Sequence, residues 1–356
     1  MAPNSASALS PAELSYWHTS LSSHPPIRAD SRSATAFRPL QAETGILPAT
    51  HGSAHVSFAD GSECIVGVKL EAEKTVIRAR PTPQNKADSN PGESGEGESP
   101  QAGPVSSASW ISLTISPSSG TRDDDPTLIY LESMLLEPLT LSNLPERLII
   151  NARWHWQIYI DILLISSSGL ASYPLPLLSM ATHLALRTTR VPRLKSEGEE
   201  DPIADDDWMA STYLYARSDG ANRARPPLTL LVVTVNENIV FDPSHEEIKV
   251  ADNMLAISIE PEPTADKPSY KMLSLRMIDT PARDTMQGVP RDGDTHQGRH
   301  VPGVWRPRVG GINRGLVNEV VKAVLTAGVA DDVINGLDGF LHVEEEADRR
   351  TGARAG

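Results

Sequence analysis

The chain has 356 residues and carries 32 Lys plus Arg against 46 Asp plus Glu, a formal net charge of −14. That balance excludes an autonomous nucleic-acid binder driven by phosphate attraction, because such affinity comes from counterions released by basic groups. Apolar residues are 39% of the chain while 29 Pro and 24 Gly supply about 15%, so a packed core must coexist with segments unable to bury themselves.

Residues 1–26 read as an N-terminal arm, and Met1–Ser15 lacks the basic-then-apolar pattern of a secretory leader. A first body, 27–193, opens with strands at Phe37–Thr44, His55–Ala59 and Ser62–Lys74, the last two joined by the hairpin-turn pair Asp60-Gly61. Gly45 and Gly52 flank a short segment where tight turns call for permissive backbone. Cys64 is the only cysteine, which excludes an internal disulfide or a Cys-based zinc cluster and predicts a reducing compartment. Residues 81–109 hold 15 Gly, Pro or Ser in 29 positions and only Val105 as an aliphatic larger than Ala. They are expected to be a disordered insertion.

Trp110–Ser116 alternates with strand period. Asp123–Asp125 before Pro126 starts a helix that should run to about Glu137 and stop at Pro138. Arg147–Ile165 is strand-like, with Asp161 requiring hydrogen bonds inside an apolar strand. Asp161 also splits the best apolar run, so no membrane segment of about 18 residues is expected. Pro174 begins a helix with a broad buried face through Leu177, Leu178, Ala181, Leu184 and Ala185.

Residues 194–227 form an acidic insertion (Glu197, Glu199, Glu200, Asp201, Asp205, Asp206, Asp207) that ends in Arg217, Arg223 and Arg225. A second body, 228–343, carries strands at Leu228–Val235, Ile239–Phe241, Asn253–Ile259 and Met272–Asp279. It is interrupted at 280–308 by a Pro/Gly/Arg-rich insertion. Gly311–Thr326 is the clearest amphipathic helix, with Leu316, Val320 and Val324 on one face and Gly328 as its stop. Residues 344–356 read as a disordered tail. Together these elements define an α+β chain with two similar sheet-and-helix halves.

Several dispersed blocks carry a resemblance. They are Ile27-Arg28-Ala29-Asp30-Ser31-Arg32, Phe37-Arg38-Pro39-Leu40-Gln41-Ala42-Glu43-Thr44-Gly45-Ile46-Leu47, Gly52-Ser53-Ala54 and Val66-Gly67-Val68-Lys69. Further along come Ile158-Tyr159-Ile160-Asp161-Ile162, Phe241-Asp242-Pro243-Ser244-His245-Glu246-Glu247 and Gly310-Gly311-Ile312-Asn313-Arg314-Gly315-Leu316-Val317. In this order, from about Leu9 to Phe340, the chain resembles the RNase PH family, on the side of its non-catalytic exosome ring subunits. The resemblance implies an RNase PH-like fold whose first half is like ribosomal protein S5 domain 2. The chain departs from the family at Asp30-Ser31-Arg32, where Asp-Gly-Arg is usual.

Active members of that family use inorganic phosphate to cleave RNA from its 3′ end, which needs guanidinium groups, a glycine-rich phosphate loop and carboxylates. The resemblance aligns their Gly-Gly-Thr-Arg loop with Ser168-Gly169-Leu170-Ala171, so Ala171 replaces the arginine. It aligns their arginine-bearing helix with Leu128–Asn143, which has Glu132 and Glu137 and no Lys or Arg. Their aspartate pair, six residues apart, leaves only Glu246 and Asp252 as vestigial acids. Arg28, Arg32 and Arg38 are candidates for RNA contact, although solvation or pairing with a partner is the commoner fate of such groups. No metalloprotease helix, nucleophile elbow or Walker-type phosphate loop is present in the sequence.

The implied role is a non-catalytic structural subunit of the exosome core ring, with no cofactor, supporting rRNA maturation, mRNA turnover and RNA surveillance. The rival with the same fold is a phosphorolytic 3′–5′ exoribonuclease. Implied partners are other RNase PH-like ring chains, an Mtr3-like chain as dimer mate, cap subunits with RNA-binding domains, a hydrolytic nuclease and single-stranded RNA in the shared channel. Implied locations are nucleus, nucleolus and cytoplasm.

Overall fold

The computed structural model describes residues 9–75, 107–117, 125–165, 173–216 apart from 197 and 199, 224–262, 269–278 and 311–355. The readings made for Ala171 and its loop, for 280–308 and for most of 81–109 fall outside them.

A five-stranded sheet organises the first half. Its strands are β1 (Leu40–Thr44), β2 (Gly52–Phe58), β3 (Glu63–Lys74), β4 (Ile111–Pro117) and β5 (Trp154–Leu164), in the order β1-β2-β3-β5-β4. All pairs are antiparallel except β4 with β5. The β2–β3 turn closes as Asp60-Gly61 predicts: Gly61 adopts φ +81, and the Ser62 amide donates to Asp60. Inward residues Val56, Cys64, Val66, Val68, Ile158, Ile160 and Ile162 are buried. Burial raises the proton affinity of the Cys64 thiol and leaves it inert.

The second half is a four-stranded antiparallel sheet in the order β11-β10-β8-β9. Its strands are β8 (Leu228–Val235), β9 (Asn238–Phe241), β10 (Asn253–Glu262) and β11 (Ser269–Ile278), and a two-stranded ribbon of β6 (Arg190–Val191) and β7 (Thr212–Tyr213) lies outside it. Helix α4 (Leu175–Thr188) contacts strands of both sheets, and all fourteen of its residues are buried. The predicted broad face thus becomes a complete surround, with Ser179, Thr182, His183, Arg187 and Thr188 buried beside the apolar residues. Gly52 serves that packing, because a Cβ there would overlap Thr189 and the Ala185 carbonyl of α4. Its need for glycine is close approach, while Gly45, at φ +69, is the turn glycine.

Several boundaries differ from the sequence expectations. Strand β1 begins at Leu40 because Arg38 is engaged elsewhere and Pro39 has no amide to donate. Helix α2 (Pro126–Leu141) starts at an Asp125 cap as predicted but passes through Pro138. The proline forfeits one hydrogen bond near the end, while the buried face Leu131, Leu135, Pro138 and Leu139 continues across it. Residues 144–147 form the short helix α3 (Leu144–Arg147), so the strand begins only at Trp154. Asp161 points to solvent, paired in register with Gly67 and Thr114, and needs no internal partner.

Four further corrections concern segments read as peripheral. Ser107–Trp110, at the end of the first insertion, is a 3-10 turn. The arm contains α1 (Pro11–Ser22), whose Leu14 and Leu21 pack against Val235 and Val250 of the second half. The end of the acidic insertion enters the core through Leu214 and Tyr215, while Arg225 is buried. The tail is helical: after α5 (His245–Val250) and α6 (Arg314–Leu325), α7 runs from Val329 to Ala355 and buries Ala330, Ile334, Leu337 and Leu341.

Candidate functional site

Three of the blocks that carry the resemblance meet in space. The arginines of 27–38 converge on the segment 241–247, more than 200 residues away, and tie the first half to the second. Arg28 makes a bidentate pair with Glu247, Nε to Oε1 and Nη2 to Oε2 both at 2.8 Å, and donates to the carbonyls of Phe241 (3.1 Å) and Asp242 (2.8 Å). Its side chain is fully buried. Such a planar fork matches a carboxylate in a way no lysine can.

Asp242 sits at the turn after β9 with φ +45, a backbone region that non-glycine residues seldom occupy but aspartate tolerates. Its carboxylate accepts from the Arg38 amide at 2.7 Å, the Arg38 guanidinium at 2.7 Å and Arg32 Nη1 at 3.1 Å. Burial opposes the charge on Arg38, yet the hydrogen bonds and charge of Asp242, with Asp60 behind, raise its proton affinity above the ordinary value. Asp60 is affected in the opposite sense: burial raises its pKa, but the Ser62 amide and Arg38 bring it below the usual carboxylate range.

Glu247 has a second duty. With Ser244 it forms a reciprocal capping box at the start of α5, its Oε2 accepting the Ser244 amide at 2.8 Å. The same carboxylate therefore starts a helix and neutralises a buried arginine.

A second buried cluster joins α4 to α7. Asp338 accepts from Arg187 at 3.3 Å and pairs closely with Arg225. His183 lies beside them, fully buried; desolvation first, then Arg187 and Arg225, lower its pKa to about 4 against the opposing pull of Asp338. Sequence reading missed this cluster because Asp338 falls in an unassigned helix.

The guanidinium groups of Arg28, Arg32 and Arg38, the candidates for RNA contact, are engaged by Glu247, Asp242, Asp30 and Asp60. Glu246 accepts from Ser244 Oγ at 3.0 Å in the first turn of α5. Asp252 lies beyond the other end of that helix, buried, accepting the Asn236 amide at 2.7 Å and so bracing the β8–β9 turn. The pair thus serves two different local structures. The acids of α2 are also engaged: Glu132 accepts the Ile115 amide at 2.8 Å, and Glu137 pairs with Arg276 at 2.5 Å. Complementary charge was the available signal, since the three arginines of the first two blocks face Asp242 and Glu247 of a later one.

Two halves of this topology, clamped by ionic contacts around a buried helix, define the class of chain. Solved structures of similar fold include an archaeal exosome core chain (16% identity, TM-score 0.54, covering 91% of this chain and 96% of that one). A chain of the Archaeoglobus fulgidus exosome with RNA bound is similar at TM-score 0.50 and 15% identity, covering 87% of this chain and 92% of that one. The 3′ exoribonuclease family, domain 1 (RNase PH), matches residues 36–192.

The chain belongs to the RNase PH family. It is 31% identical over 258 residues to exosome complex component RRP42 of Saccharomyces cerevisiae, covering 70% of this chain and 81% of that relative. The corresponding Schizosaccharomyces pombe protein is 28% identical over 266 residues, covering 71% and 78%.

Proposed function

We propose that this chain is a non-catalytic structural subunit of the RNA exosome core ring, scaffolding the channel that serves 3′-to-5′ RNA processing and decay. The observation that carries the reading is the engagement of its charged groups. Arg28, Arg32 and Arg38 are held by carboxylates, Glu132 and Glu137 hold β4 and β11, and Glu246 and Asp252 support separate turns. A phosphorolytic site needs free guanidinium groups around phosphate and a convergent acid pair. Similarity to relatives called exosome complex component RRP42 supports the assembly.

In that ring its neighbours are other RNase PH-like chains, with an Mtr3-like chain as dimer mate. Cap subunits with RNA-binding domains and a hydrolytic nuclease complete the particle, and single-stranded RNA passes through. The same reading assigns the chain to nucleus, nucleolus and cytoplasm. Affinity purification tests it: stoichiometric recovery of several RNase PH-like chains is expected, and their absence would sink the ring reading. A direct assay separates the enzyme alternative. Oligoadenylate incubated with magnesium and inorganic phosphate should release no nucleoside diphosphate; release abolished by Glu246→Ala or Asp252→Ala would establish phosphorolysis.

A further inference from the structure

Residues 200–209 of the acidic insertion are largely exposed. Its stalk is an antiparallel pairing: the Lys195 amide donates to the Ile203 carbonyl at 2.8 Å, and the Asp205 amide to the Arg193 carbonyl at 2.7 Å. It is tethered to the loop before β5, where Asn151 Nδ2 donates to the Gly198 and Glu200 carbonyls and Trp154 Nε1 to Asp201 at 3.1 Å. Asp207 caps the turn over Trp208–Ala210, and the Trp208 ring stands edge-on to His51 with centroids 5.7 Å apart.

On this fixed support three large apolar side chains face solvent: Ile203 at 63%, Trp208 at 44% and Met209 at 81% exposure. Isolated apolar residues on a surface need no explanation, but three within seven residues on a hydrogen-bonded support do. Between Glu200 and Met209 the chain carries five carboxylates and no cation. That field repels RNA, whose backbone is anionic, and complements lysine and arginine. Because the support is already held by hydrogen bonds, this chain would lose little conformational entropy when a partner docks.

We propose that residues 200–209 form a docking surface for a basic segment of a protein partner, one that presents an apolar anchor to Ile203, Trp208 and Met209 while its lysines and arginines meet the surrounding carboxylates. The residues concerned lie outside the two sheets and the buried ionic clusters.

Fluorescence anisotropy on the full-length chain tests it, with a labelled short peptide that alternates arginine pairs with leucine as the probe. Saturable binding is expected. The variant Ile203→Ser with Met209→Ser should weaken it about tenfold, and Glu200→Gln with Asp206→Asn should weaken it several-fold and flatten its salt dependence. A companion peptide with every leucine replaced by serine should bind about tenfold less to the unaltered chain, which checks the apolar anchor without any protein variant. Absence of saturable binding overturns the proposal, as does equal binding by the apolar variant. Displacement of the peptide by oligouridylate would also overturn it, by assigning the surface to RNA.

Discussion

Around Asp242, three guanidinium groups and two carboxylates are enclosed between the halves, with every arginine held by a carboxylate. Between Glu200 and Met209, five carboxylates lie beside exposed apolar side chains, and among the described residues only Asp205 has a lysine partner, Lys195 at 3.0 Å. The difference lies in where the counter-charge comes from. In the first region it is supplied by the chain itself at long sequence separation, which converts charge into fixed geometry. In the second it is supplied mostly by solvent, which leaves the field available to a partner. Charge density read along a sequence says nothing about which of these occurs.

The comparison predicts opposite sensitivities. Asp242→Ala removes the buried carboxylate shared by Arg32 and Arg38, leaving them only the more exposed Asp30 and Asp60, and should cost about 3–5 kcal/mol, read by urea denaturation. A loss below about 1 kcal/mol would mean the cluster is wetter than described. The cluster at His183 offers the next largest effect. Its folded pKa of about 4 lies below the unfolded 6.5, so the unfolded chain binds the extra proton. Stability should therefore be complete above pH 6.5 and decline as pH falls towards 4, by on the order of 3 kcal/mol. His183→Phe should abolish that slope in melts at successive pH values.

Gly52→Ala drives a methyl into Thr189 and the Ala185 carbonyl, and should cost about 1–3 kcal/mol by thermal denaturation. The smallest effect is expected at the hairpin: Met209→Ser should leave Tm unchanged, because an exposed side chain away from the core contributes within about 0.5 kcal/mol. A marked fall in Tm would show that the hairpin holds the fold and would erase the contrast.

The strands were legible where their pattern is local. Asp60-Gly61 with its flanking alternation, the Asp125-Pro126 helix start and the Gly328 stop are all seen where the sequence places them. The capping boxes Ser10-x-x-Glu13 and Ser244-x-x-Glu247 were equally local signals, and they mark the unassigned helices α1 and α5. Helix α7 escaped because polar residues dominate it and its buried stripe is thin. The roles of Arg28, Arg32 and Arg38 escaped for a different reason: no local pattern couples them to partners more than 200 residues away.

That separation has a consequence during synthesis. Arg28 emerges from the ribosome 219 residues before Glu247, a delay of roughly 10–40 s at typical elongation rates of about 5–20 residues per second. Within that interval, α4 is complete at Thr188 while β8, the strand of the second sheet it packs on, begins only at Leu228, so the face it will bury there lies open to other apolar surfaces in the cell until the second sheet is made. The nascent first half thus presents the kind of apolar surface a holding chaperone binds, and a message truncated before codon 242 should yield a product that is degraded rather than stored.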